Sequence, residues 1–269
     1  VTRFQGTKHN KTPNNLNNRI RKAPNLQAYE TKADLTIMTN DGTQGLQTLQ
    51  RLGNKSKEIV FWRNGVEKVP AELLGKREQL REQFNFEKYF TFLTVSRLVG
   101  WKKVDRAINA FSIVNNKYPE TRLVILGDGE AKNDLMALAE KLGLKKQVIF
   151  KGAVEQNLVS NYMVAADAFL SFYDLSNVGN PLMEAMMSGK PIITLDVGDT
   201  GELIKNNENG ILLPMDQLDK IPEMMMKIIE NKDFTDKIAA NALQTAKSEF
   251  WTWDERIAVE ISKVESLLY

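Results

Sequence analysis

From Tyr89 onward, short apolar runs alternate with helical patterns, and this alternation narrows the fold more than any other feature of the chain. The runs lie at Phe92–Val95, Leu123–Leu126, Val148–Phe150, Ala168–Phe172 and Pro191–Leu195. Between them the spacing predicts helices over about 103–117, 130–142, 155–165 and 181–188. Runs that are apolar throughout suit strands buried on both faces of a parallel sheet. Strand–helix–strand units of this length are then right-handed. A further run, Ile211-Leu212-Leu213, precedes helical patterns at about 217–230, 233–249 and 253–268. The expectation is an α/β fold in which a doubly wound parallel sheet occupies residues 89–250.

The residues before Tyr89 hold a smaller unit of the same kind. Asp34–Met38 reads as a strand, followed by a turn at Thr39–Thr43, a helix to about Leu52 and a strand at Glu58–Trp62. Asn64-Gly65 then reads as a turn pair. Residues 34–62 therefore form a β-α-β unit too small to be a whole domain, and Val1–Phe4 supplies a further strand. Residues 8–22, rich in Asn, Lys and Arg, read as a solvated loop. No motif supports a phosphate or membrane-surface role for Lys8, Lys11, Arg19, Arg21 or Lys22. Residues 66–88 are charged and helical in propensity, as a connector lying over a surface would be. The segment 251–269 is an amphipathic helix with Ile257, Ile261, Val264 and Leu268 on one face.

Composition removes several chemistries. The chain has no cysteine, so disulfides, zinc thiolates and cysteine nucleophiles are excluded. Its single histidine, His9, argues against histidine-rich metal sites and a serine–histidine triad. A formal charge of +2 does not call for a nucleic-acid partner. No apolar run reaches the ~18–20 residues of a membrane span.

Ligand sites in open α/β sheets lie outside the carboxyl ends of the strands, and three loops leave such ends here. The first is Ser96-Arg97-Leu98-Val99-Gly100-Trp101-Lys102-Lys103. Arg97 and Lys102 suit a diphosphate, with Arg as a bidentate fork and Lys as a point charge, or they are ordinary surface cations. The second is Gly127-Asp128-Gly129-Glu130, where Asp128 either caps the following helix or meets a ligand. Lys132 stands where a Gly-x-Gly-x-x-Gly fingerprint requires glycine, which weakens a dehydrogenase reading. The third is Asp174–Asn180, leading into a helix with Pro181 in its first turn and Glu184 close behind. Glu184 either faces the helix macrodipole or accepts hydrogen bonds from a ribose. Gly198–Glu202 is a candidate fourth wall or a simple turn.

In order and spacing, these blocks resemble the family 4 glycosyltransferases. The matching residues are Ser96-Arg97-Leu98-Val99 with Lys102, Leu123–Gly129, Leu142-Gly143-Leu144, Val148–Gly152 and Tyr162 with Ala166-Asp167. They continue through Gly179, Glu184-Ala185-Met186, Gly189-Lys190-Pro191-Ile192-Ile193 and Asn209–Pro214. Asn64-Gly65-Val66-Glu67 looks like the family's interdomain segment.

The resemblance implies the two-domain GT-B fold and retaining glycosyl transfer from a UDP- or GDP-sugar, without an obligatory metal. Arg97 and Lys102 would be the catalytic cations on the diphosphate. Gly127, Asp128, Ser176, Asn177, Val178, Gly179, Asn180 and Glu184 would line the donor site, with Glu184 on the ribose. The family's other glutamate, eight residues before Glu184, is replaced by Ser176. At the acceptor side, Gln5 stands where the family has a histidine. The acceptor would be a glycan or lipid-linked saccharide and the setting cytoplasmic, with room for peripheral membrane association and no role for nucleic acid.

On this reading residues 1–65 are the closing part of an amino-terminal domain, 66–88 a connector, 89–250 the donor domain and 251–269 a helix crossing back. A chain that opens on Val1 would then lack most of its acceptor half and transfer sugar poorly by itself. Ser176 leaves open a nucleotide-sugar-binding module without transferase activity. A structural Rossmann-like interaction domain is the remaining alternative.

Overall fold

The computed structural model describes residues 1–4, 27, 29, 30 and 32–268. The chain divides into two compact units, Val1–Val66 with Phe250–Tyr269, and Glu67–Glu249. Gln5, His9 and the basic residues of segment 8–22 lie outside the described residues.

The first unit is a parallel three-stranded sheet of β1 (Thr2–Phe4), β2 (Leu35–Thr39) and β3 (Glu58–Trp62), in that order. Helix α1 (Gly45–Arg51) makes the crossover from β2 to β3. Leu35, Ile37 and Met38 are fully buried, and Leu49 of α1 packs with Met38 against the Phe4–Tyr29 stack. After β3 the chain does not turn at Asn64-Gly65. It runs on, and Val66 N–H donates to Trp251 O (2.8 Å). Gly65 is required for a different reason: a Cβ there would lie 2.5 Å from the Trp253 Cα.

The carboxyl-terminal helix α11 (Trp253–Glu265) starts from a capping box between Thr252 and Glu255. Its one buried residue is Arg256, which bonds Arg63 O, pairs with Glu260 and lies over the Trp62 ring. Lys263 pairs with Glu58 of β3 at 2.6 Å. The helix is therefore held in the first unit largely by polar contacts, while Ile257, Ile261 and Leu268 of its apolar stripe are exposed.

The second unit opens with α2 (Ala71–Gly75) and α3 (Arg77–Phe84). They pack on the unit: Phe84 stacks on Tyr162 at 4.1 Å, and Leu80 is buried. Six strands follow: β4 (Phe90–Val95), β5 (Thr121–Leu126), β6 (Val148–Gly152), β7 (Ala168–Ser171), β8 (Ile192–Leu195) and β9 (Ile211–Leu213). Every adjacent pair is parallel, in the order β6-β5-β4-β7-β8-β9. The connecting helices are α4 (Val104–Lys117), α5 (Lys132–Lys141), α6 (Gln156–Ala165), α7 (Asn180–Met187) and α8 (Thr200–Leu203). Helices α9 (Ile221–Glu230) and α10 (Lys232–Glu249) complete the unit.

Winding proceeds outward from β4 in one direction, then from β7 in the other, so their junction is the topological switch point. The β4–β5 ladder runs the full six residues from Phe90 to Val95, whereas the β4–β7 ladder pairs only Phe92 with Ala168 and Leu93 with Phe169. Beyond those pairs the two strands are not laddered to each other, and it is outside such a junction that open α/β sheets bind ligands.

At the opposite, amino end of the sheet, the helices are tied to the strands by a buried ionic network. The Arg81 guanidinium donates to Ala165 O, Phe86 O, Tyr89 O and the Asp167 carboxylate. Asp167 also accepts from Thr91 N–H (2.7 Å) and Arg77 (2.5 Å). Burial pushes the Lys190 ammonium down to about 7, against the opposing pull of Asp167. A neutral amine still has two N–H donors, which match its two acceptors, Val164 O and Ala166 O. Removing Asp167 leaves the Arg81 charge buried without its counterion. Asp167→Ala should therefore cost about 3–5 kcal/mol in urea unfolding, more than the usual surface substitution by several-fold.

Candidate active site

Four of the loops at the carboxyl edge of the second unit, those after β4, β5, β7 and β8, hold the candidate residues. In the first, after β4, Arg97 projects to solvent between buried Ser96 and Leu98. Alternation in and out of the core thus sets its direction. A single 3₁₀ turn, Gly100–Lys102, follows. Lys103 then begins α4 in the left-handed region, at φ 48°, a conformation that normally favours glycine.

The glycines of the second loop serve the first. Gly127 has φ 128°, and a Cβ there would lie 1.8 Å from Ser96 O. A Cβ at Gly129 would lie 2.4 Å from Leu98 O. The two loops are bonded through Leu98 N–H to Asp128 O and Ala131 N–H to Leu98 O, both 2.9 Å. The close approach these glycines permit is therefore loop to loop. Asp128 does not cap α5, whose N-cap is Ala131. Its exposed carboxylate accepts from Lys132 (2.6 Å) and Gly129 N–H (2.8 Å), and these two contacts hold it below the usual carboxylate range.

The third loop, after β7, is largely buried and internally bonded. Asn177 is 1% exposed, and its side chain accepts from Tyr173 N–H and donates to Leu195 O. Its backbone N–H reaches Thr200 Oγ1, at the start of α8 in the fourth loop. Ser176 is buried, and its Oγ accepts from Val178 N–H at 3.1 Å. Both side chains therefore shape the loop from within. Val178 is buried as well, while Gly179 and Asn180 are half-buried at the start of α7. Thr200 gives the Gly198–Glu202 segment a definite role, as the anchor of the third loop.

Gly179 is the N-cap of α7, with Pro181 in the first turn. The helix begins at Asn180, one residue earlier than the spacing predicts, so no acidic residue lies in its first turn. Glu184 sits beyond that turn, where the macrodipole has little effect on it. The half-buried carboxyl accepts from Gln156 Nε2 at 2.9 Å, and burial pushes it above the usual carboxylate range.

Contacts between the first and third loops join Arg97's loop to Glu184's. The Tyr173 hydroxyl donates to Val95 O at 3.0 Å, at the carboxyl end of β4. Asp174 N–H donates to Trp101 O, and the Asp174 carboxylate pairs with Arg106 of α4 at 2.7 Å. Lys102 Nζ lies 3.6 Å from the Tyr173 ring centroid and 4.3 Å from that of Trp101. The sequence placed Trp101, Asp174 and Thr200 in candidate loops without a role of their own, and left Arg106 and Tyr173 outside them. The available signal was a tryptophan beside Lys102 in a polar loop and a tyrosine at a strand end. Among the described residues, no three His, Asp or Glu side chains are grouped to hold a metal ion, and no helix is long and apolar enough to cross a membrane.

Residues 76–245 match the family model described as glycosyl transferases group 1. The chain is 23% identical over 172 residues to an alpha-D-kanosaminyltransferase of Streptomyces kanamyceticus, covering 64% of this chain and 45% of that protein. It is 30% identical over 199 residues to the GtfA subunit of a UDP-N-acetylglucosamine–peptide N-acetylglucosaminyltransferase of Streptococcus agalactiae, covering 69% and 38%. The chain spans about half the length of the curated relatives it matches. Anabaena HepE, solved in complex with UDP-glucose, superposes with a TM-score of 0.79 at 22% identity over 97% of this chain and 72% of that one. The fold is thus the Rossmann-like fold of GT-B glycosyltransferases.

Glu184 gives a test of site against scaffold. A carboxyl whose folded pKa is raised disfavours folding as pH rises above its unfolded value, because the unfolded chain loses that proton first. Glu184→Gln keeps the acceptor for Gln156 and removes the buried charge. The variant should resist urea at pH 7 at least as well as the parent, and its advantage should vanish near pH 4.

Proposed function

The chain belongs to the glycosyl transferases group 1 family, and on that premise we propose that it binds a nucleotide-sugar across the carboxyl edge of its second unit. The sugar, carried on UDP or GDP, passes to a glycan or lipid-linked acceptor. The likeness to family 4 suggests retention of configuration and no obligatory metal. Arg97 and Lys102 take the diphosphate. Their positive charge, with N–H groups at the start of α7, stabilises it as it leaves the sugar. Glu184 accepts hydrogen bonds from the ribose.

The observation that carries this reading is the coupling of the Arg97–Lys102 loop to the loop before Glu184 at the β4–β7 switch point. Cations on one lip and a carboxylate beyond the other suit a ligand with an anionic centre and a hydroxylated ring. The solved relative with UDP-glucose supports the same ligand class. Ser176 favours a second reading, donor binding without transfer, because its buried hydroxyl offers no carboxylate near the donor sugar.

Calorimetry with UDP-, GDP- and ADP-sugars tests the donor. Arg97→Ala and Lys102→Ala should each weaken binding ~10-fold or more, as charge-assisted contacts worth roughly 1.5–3 kcal/mol imply. Unchanged affinity in both variants would place the diphosphate elsewhere. Release of free nucleotide on adding an acceptor glycan separates transfer from binding alone.

A further inference from the structure

Lys102 does not reach its position by its own helix. It ends a 3₁₀ turn, and its ammonium lies against two aromatic faces supplied by different loops. Tyr173 comes from the third loop and is 3% exposed. Its ring is fixed at one end by the hydroxyl bond to Val95 O and at the other by Asn177 Oδ1, which accepts from its backbone N–H. Trp101 meets the Tyr173 ring edge-on, with centroids 6.2 Å apart. The Trp101 carbonyl is held by Asp174 N–H, and Asp174 is itself held by Arg106 and, at 3.7 Å, by Lys103.

We infer that Trp101 and Tyr173 form a cation–π cradle that positions Lys102 for an anionic diphosphate. The inference rests on the proposed donor site and adds two positioning residues to it. Three features carry it. The contact distances are well inside the ~6 Å range of cation–π attraction. The Tyr173 ring cannot swing away without breaking its hydroxyl bond to Val95 O. The cradle also joins the loop after β4 to the loop after β7, so it sets the position of Lys102 relative to the loop that leads to Glu184. A lysine stem has much rotamer freedom to lose on gripping an anion. Holding the ammonium in place beforehand lowers that loss, which is the physical content of preorganisation.

The test uses the full chain and calorimetry with inorganic pyrophosphate, UDP and GDP, each nucleotide being compared with its nucleoside. Trp101→Leu and Tyr173→Leu should weaken pyrophosphate and nucleotide binding about 3- to 10-fold, as loss of an aromatic face beside a cation predicts. Nucleoside affinity should stay within error, which a general collapse of the site would not allow. Tyr173→Phe restores the ring and should recover most of the loss. Trp101→Leu added to Lys102→Ala should cost nothing beyond Lys102→Ala alone. Trp101 is only half-buried, so its variant decides the matter even where Tyr173→Leu does not fold. If Lys102→Ala weakens pyrophosphate binding and Trp101→Leu does not, the cradle is overturned and the donor site stands. If Lys102→Ala changes nothing while Arg97→Ala weakens binding, the cradle alone is overturned; if neither variant changes it, the donor reading fails and takes the cradle with it.

Discussion

Everything at the carboxyl edge depends on where the β4–β7 ladder stops. Two parallel strands from the two halves of the winding pair at Phe92–Ala168 and Leu93–Phe169, and no further. Backbone groups beyond that point need other partners, since an unpaired buried carbonyl is costly. Val95 O takes the Tyr173 hydroxyl, and Trp101 O takes the Asp174 N–H. The bonds that satisfy the end of one strand are thus the bonds that place the loop after the other. Fold and site share one set of contacts at this point.

That sharing explains why so many polar side chains here face inward. Asn177 uses both side-chain atoms on Tyr173 and Leu195, and Ser176 turns its hydroxyl to Val178 N–H. A loop of this length would otherwise bury several unsatisfied N–H groups. Arg97 is exposed, Lys102 lies between two rings, and Glu184 is half-buried against Gln156. Burial pushes the Glu184 carboxyl above its usual range, partly opposed by its bond from Gln156. The amino edge differs: Arg81 and Asp167 are directed at each other, and Arg81 and Lys190 at carbonyls around the end of α6.

Much of the fold was legible because buried parallel strands announce themselves as unbroken apolar runs. β9 coincides with its predicted span, and β4, β5 and β8 differ from theirs only at the amino end. The charges of residues 70–88 look solvated in the sequence, whereas Arg81 is buried with a partner 86 residues away that no local pattern reveals. Gly65 and Gly127 read as turn or ligand glycines, but each is required by another backbone passing close by. Asp128 read either as a cap or as a ligand contact; the cap is not made, and Lys132 and Gly129 N–H take its carboxylate. The loops and cations of the candidate site were visible as residue types at strand ends. Trp101 and Tyr173 were not, since their importance lies in a contact between two loops about seventy residues apart.

The central claim is that a nucleotide diphosphate lies at the carboxyl edge, between the loop after β4 and the start of α7. A crystal structure of the chain with UDP or GDP tests it most directly. The account predicts diphosphate density within hydrogen-bond reach of Arg97 and Lys102, with the ribose at Glu184. Density instead at the amino edge, where Arg77, Lys190 and Lys232 line a cavity of about 410 Å³, would contradict it.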